Sequence, residues 1–389
     1  MLQSASLPLW DSPLAYQRAG SALSSLSTDK TVPAPAGAAA QPQYRSSLLD
    51  IPGVDSVTVT GINDAGQIVG NYVNSYATDA AFKPFVWDAA GKHDLALPPG
   101  IPGAAATSIN NSGQIIGWTL NSDATIIYLL QWNASAPDVV EIVNTTTTYL
   151  FQSAKISDSG VVVGGGYVLS DFSAHSMVWS ADSGIVDYGT PVPANPAVGG
   201  TWNSINASGR LVGSWTDSLN VSHAAVGQLG TPSMQAFSAQ TDAVASGIAA
   251  INSVGTMVGF VNVGSVAMPA VFNADGTLNI LAGAMLGQSS GRAIDINDAG
   301  DIVGYATATS ATDPNTFFVD IEGSVHNPIA ASDFDGSSGI QPSTPVAINN
   351  HGTIIGVGFI PPRIFYTRSF VLTRITDRIF SDGFEMPSP

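Results

Sequence analysis

INDAGQIVG, from Ile62 to Gly70, recurs six more times along this chain. The copies are INNSGQIIG from Ile109, ISDSGVVVG from Ile156, INASGRLVG from Ile205, INSVGTMVG from Ile251, INDAGDIVG from Ile296 and INNHGTIIG from Ile348. Successive copies begin 47, 47, 49, 46, 45 and 52 residues apart. An internal period in that range points to β-propeller blades. The phrase also predicts its own local structure. Asn63-Asp64-Ala65-Gly66 reads as a type I turn followed by a glycine in the left-handed region, joining two strands in a bulged hairpin. The first turn position is Asn63, Asn110, Ser157, Asn206, Asn252, Asn297 and Asn349. Asn, Asp or Ser there bonds the backbone ahead of it, so serine is admissible at 157.

Working outward from the first copy, residues 55–97 hold four strand-like runs: DSVTVTGI, QIVGNYV, KPFVWD and KHDLAL. Four antiparallel strands per repeat make one blade. The expected fold is therefore all-β, a seven-bladed β-propeller of four-stranded antiparallel blades. The phrase's second glycine, Gly70 in the first copy, falls inside a strand, which predicts close approach by a neighbouring blade or a bulky ring. Two residues before the turn stand Gly61, Ser108, Lys155, Ser204, Ala250, Asp295 and Ala347. Five of the seven are small, as an innermost strand near a crowded axis requires. The last repeat lacks an obvious fourth strand, whereas YRSSLLDI at 44–51 resembles one without a repeat. An N-terminal strand is thus expected to complete the last blade and close the ring, with Leu48, Leu49 and Ile51 covering it. The expected division is 1–43 as a loosely ordered segment of linker composition, 44–376 as the propeller and 377–389 as a short tail.

The composition agrees with many short strands and tight turns: 44% hydrophobic, 40 Gly, 24 Pro and 11% charged residues. Twelve Lys and Arg against 29 Asp and Glu give a formal charge of -17, which repels phosphate backbones and anionic lipid and argues against nucleic-acid partners. No cysteine is present, so disulfides, thiol catalysis and Cys-based zinc sites are excluded. No apolar run approaches a membrane span. No basic stretch and apolar core follow Met1, so either the chain stays inside or its true start lies upstream.

The repeat, with its aromatic-rich third strand ending in Trp (KPFVW at Lys83, YLLQW at Tyr128, HSMVW at His175), resembles the HAF-type extracellular repeat of bacterial proteins. The resemblance covers roughly Tyr44 to Ile375. The His-Ala-Phe that names the family survives in degraded form, as His175-Ser176-Met177 and His223-Ala224-Ala225. It implies an exported, repeat-built protein, extracellular or at the cell surface, and supplies no catalytic residues. The tail RIFSDGFE, Arg378 to Glu385, looks like short C-terminal segments on exported proteins of some Gram-negative bacteria; the alternative is a frayed terminus.

Residues that could carry chemistry are few. Gly287-Gln288-Ser289-Ser290-Gly291 matches G-x-S-x-G but lacks the following helix a nucleophile elbow needs. Asp295 to Asp301 spaces oxygens as a calcium loop would, yet it is also the shared turn. Asp333 and Asp335 sit in the longest inter-blade connection, where two acids could hold a cation; otherwise no cofactor is implied. The five histidines are scattered, without an H-x-x-x-H pair. Lys155 and Asp295 are the ionisable exceptions at the small inner position. They lie in repeats three and six, far apart around the ring, where they either orient a polar ligand in the channel, pair locally or point to solvent. Trp118, Trp215 and Tyr305 either stack on sugars or pack between blades. Candidate ligand-binding residues are therefore Lys155, Asp295, Asp333 and Asp335. The leading expectation is a monomeric, non-enzymatic scaffold binding a protein or glycan through variable loops. The rival is a glycan-active hydrolase or lyase with carboxylates gathered at the channel mouth.

Overall fold

The computed structural model describes residues 42–74, 81–120, 127–144, 148–191, 197–237, 245–285, 290–307, 316–321, 323–329, 332, 341–360 and 363–375. The chain divides into Met1–Gln41 and Pro42–Pro389. The expected tail 377–389, nearly all of the expected segment 1–43, Ser289, Asp333 and Asp335 lie outside the described residues. No helix among the described residues is long and apolar enough to cross a membrane.

Seven four-stranded antiparallel sheets are present. Six use consecutive strands, numbered one to six here in chain order: Ser56–Asp94, Ala105–Asn144, Tyr149–Gly189, Ala197–Ala236, Ser246–Ile280 and Ser290–His326. The seventh combines Gln341–Ile348, Ile354–Ile360 and Arg363–Ile375 with Gln43–Leu49 from the other end of the described chain. In each sheet the first strand of the repeat faces a shared axial cavity.

The repeated Asn serves two purposes, and only one is visible within a single repeat. Its Oδ1 accepts the backbone N–H four residues on, as in Gln67 N–H to Asn63 at 2.9 Å. Its Nδ2 donates to the backbone carbonyl of the matching residue in the next sheet. The links run Asn63 to Asn110 at 3.0 Å, Asn110 to Ser157 at 2.9 Å, Asn206 to Asn252 at 3.1 Å and Asn252 to Asn297 at 3.2 Å. They continue from Asn297 to Asn349 and from Asn349 back to Asn63, both at 3.1 Å. Serine at 157 keeps the turn half, since its Oγ accepts from Val161 N–H at 3.0 Å, but has no amide to donate onward. The junction of sheets three and four instead uses ring contact: Tyr188 meets Trp202 edge-on at 6.0 Å, and the Tyr188 hydroxyl accepts from Gly230 N–H.

Seven apolar clusters fill the junctions between neighbouring sheets. One joins the last sheet to the first, through Val57, Val59 and Phe85 against Ala347, Ile355 and Val371. The expectation that an N-terminal strand closes the ring is corrected here. Gln43–Leu49 lies on the outer side of Arg363–Ile375, at the sheet edge. The closing contacts lie deeper: Asn349 to Asn63, Val59 N–H to Ser369 Oγ at 3.1 Å, and Ser369 Oγ to Val57 O at 2.9 Å. The covering side chains differ too. Leu49 and Ile51 are buried, but Leu48 is 39% exposed, and Tyr44 is buried in its place.

The turn glycines take positive φ, 76° at Gly66 for example. The strand glycine is crowded from within its own sheet, not by a neighbouring sheet. A Cβ on Gly70 would strike the carbonyl oxygen of Thr58 and the ring of Phe85, both in sheet one. The other copies meet the same carbonyl: Ala105 for Gly117, Gln152 for Gly164, Thr201 for Gly213 and Gly247 for Gly259. The inner strand is also bulged, and that bulge builds the site.

Candidate functional site: the axial cavity

Each inner strand slips register three residues before the turn Asn, between Val59 and Gly61 in the first sheet and between Ala293 and Asp295 in the sixth. The same shift recurs in the other five. A bulge leaves one residue out of the ladder and re-aims its side chain. The extra residues are Thr60, Thr107, Ala154, Asn203, Ala249, Ile294 and Val346, and all seven line a cavity of about 150 Å³. No shared residue type marks this position. Equal spacing from the turn Asn was the signal that could have found it.

The following residue, the small position of the repeat, completes the wall. Here the structure overturns the separation expected for Lys155 and Asp295. Lys155 Nζ lies 3.8 Å from Asp295 Oδ1, although the residues come from sheets three and six. Both point to the axis, where chords are short, and a lysine stem is long enough to cross. Asp295 is nearly buried, with a side chain 9% exposed, and its Oδ2 accepts from Ile348 N–H in sheet seven at 3.0 Å. Ser108 does the same work at the junction of sheets two and three, accepting from Ile156 N–H at 3.3 Å. Thr60 Oγ1 donates to Ala106 O at 2.9 Å and Asn203 Nδ2 to Ile248 O at 2.8 Å, so the polar wall is also stitched to neighbouring sheets.

Just beyond the cavity, the residues after the turn Asn form an exposed arc. Asp64 and Asp158 flank Asn111, and Asp298 and Asp64 flank Asn350, through side-chain bonds of 2.9–3.2 Å. The acids of the calcium-like stretch therefore diverge: Asp295 faces the axis, Asp298 joins this arc, and Asp301 pairs with Arg374 at 3.1 Å. Among the described residues no three His, Asp or Glu gather as a metal-holding group. Three of the five histidines pair singly with aspartates: His93 with Asp88, His175 with Asp187 and His223 with Asp217. Trp215 is buried and stacks on His223 at 4.4 Å, a packing role.

The opposite end of the ring carries the hairpins between second and third strands. Three successive sheets present an exposed apolar side chain there: Phe172 (67% exposed), Leu219 (72%) and Val263 (54%). Sequence reading missed these, because a single apolar residue in a loop is unremarkable. Phe172 has φ 57°, a conformation that costs a non-glycine residue roughly 1–2 kcal/mol. Aspartates pin two of the tips. Asp171 accepts from the hydroxyl and N–H of Ser173, which hold its carboxyl below the usual range. Asp217 accepts from the N–H groups of Val221 and Leu219 and from His223; the Val221 bond contributes most to lowering its pKa.

No family model matches the chain, and no curated protein matches it. Solved structures do. The β-propeller domain of the Trilobed protease from Pyrococcus furiosus matches at TM-score 0.55 and 8% identity, over 86% of this chain and 100% of that one. A prolyl endopeptidase structure matches at TM-score 0.52 and 12% identity, over 80% of this chain and 44% of that one. At such identities the likeness shows the fold alone, and that fold is a β-propeller.

Proposed function

We propose that the protein is a binding scaffold whose ligand is a protein, held by the hairpin face of sheets three to five. The observation that carries this reading is the trio Phe172, Leu219 and Val263 at successive tips. Exposed apolar groups on successive tips of one face favour protein partners, and aspartate-pinned turns lower the ordering cost of binding. An export address rests on the resemblance to HAF repeats alone. The rival, a glycan-active enzyme, needs carboxylates converging beside an aromatic. The axial cavity offers one carboxylate, Asp295, and no aromatic among its lining residues.

The test is cross-linked capture from the producing culture by the wild-type protein and by a Phe172→Asn, Leu219→Ser, Val263→Ser variant, beside a glycan array. The expected result is one protein captured by wild type and lost in the variant, with a blank array. A glycan bound equally by both forms, or no wild-type capture, refutes the reading.

A further inference from the structure

We infer that the axial cavity is a site for one small zwitterion of the amino-acid class, its carboxylate on Lys155 and its ammonium on Asp295. The starting point is that both residues exceed what the ring needs. Asp295 caps the Ile348 N–H with one oxygen, and Ser108 shows that a hydroxyl suffices for the same duty. Gly61, Ala250 and Ala347 show that the position works with no polar group at all. The second carboxylate oxygen therefore has no structural employment except to face Lys155. The lysine is equally unspent. Its side chain is 39% exposed, and at 3.8 Å the carboxylate is beyond hydrogen-bond reach, which ends near 3.5 Å.

Size and charge then select the ligand. An apolar cavity of about 150 Å³ holds benzene, so this one suits a molecule of about six heavy atoms. A simple anion meets Asp295, the acidic arc of Asp64, Asp158 and Asp298, and a chain of formal charge -17. A simple cation meets the Lys155 ammonium. A sugar finds no aromatic to stack on. A zwitterion laid alongside the ion pair sets its carboxylate on Lys155 and its ammonium on Asp295 and meets both charges at once. Its short side chain then rests against the apolar part of the wall, Ile294 and Val346.

The experiment is calorimetric titration of the full chain near neutral pH with L-alanine, acetate, methylammonium and glucose as probes. L-Alanine should give a saturable heat, and each single-charge probe should bind at least about tenfold more weakly. Lys155→Met keeps the stem and removes the charge. Asp295→Asn keeps an acceptor for Ile348 N–H and removes the charge. Each variant should melt cooperatively and weaken L-alanine about tenfold or more. No saturable heat from L-alanine, equal binding of acetate or glucose, or undiminished binding by both variants overturns the proposal.

Discussion

Asn110 offers the sharpest test of how the ring holds together. Its Nδ2 donates to Ser157 O at 2.9 Å and to Gln114 Oε1 at 2.8 Å, while its Oδ1 accepts from Gln114 N–H at 2.9 Å. The residue is 3% exposed, so water cannot easily replace what a substitution removes. Asn110→Ser copies the situation at Ser157, where the turn survives and the link to the next sheet is missing. The buried Ser157 carbonyl then loses one of its two donors and keeps Gly160 N–H at 3.0 Å, a loss of roughly 0.5–1.5 kcal/mol. Asn110→Asp is nearly isosteric but should be worse. It keeps the turn acceptor, loses the same donor and directs a carboxylate at a carbonyl oxygen. The converse change, Ser157→Asn, should supply the missing link toward Asn206 and gain about 0.5–1.5 kcal/mol. Urea denaturation followed by tryptophan fluorescence gives the order Ser157→Asn, wild type, Asn110→Ser, Asn110→Asp. If Asn110→Ser matches wild type, or Asn110→Asp matches Asn110→Ser, the amide belt is not a source of stability and the argument fails.

Two further outcomes follow from the same contacts. Gly70→Ala should destabilise more than Gly66→Ala, because its Cβ strikes backbone at Thr58 while space at Gly66 is open and only the φ of 76° resists; overpacking costs roughly 1–3 kcal/mol, and melts that reverse this order contradict the bulge account. Burial pushes the Tyr44 phenol up from 10 to about 12, Arg374 opposing and Asp301 adding. A raised folded-state pKa gives stability that is complete below pH 10 and lost as pH rises toward 12, roughly 2–3 kcal/mol in all. Tyr44→Phe should therefore flatten the fall in melting temperature above pH 10; an unchanged slope would sink this assignment.

Local grammar was legible because its causes are local. Four-stranded antiparallel blades, the Asn-led turn and the left-handed Gly66 depend on residues within one hairpin, so one repeat states them. The candidate site was half legible. Lys155 and Asp295 stand out as charges at a position otherwise small, but a string of repeats does not show that residues 140 positions apart meet at 3.8 Å. Asp333 and Asp335 drew attention through loop length and lie outside the described residues.

The tertiary structure decided what depends on the next sheet. A turn Asn needs only its own hairpin to use Oδ1, whereas Nδ2 finds its acceptor 45 to 52 residues later, or, for Asn349, back at Asn63. The bulge that creates the axial wall carries no residue signature, since Thr60, Asn203 and Ile294 fill equivalent places. Hairpin geometry is written in φ, ψ and short-range bonds, and a sequence carries those directly. The meeting of Lys155 with Asp295, and of the last sheet with the first, is set by curvature accumulated over the whole ring, which no single repeat contains.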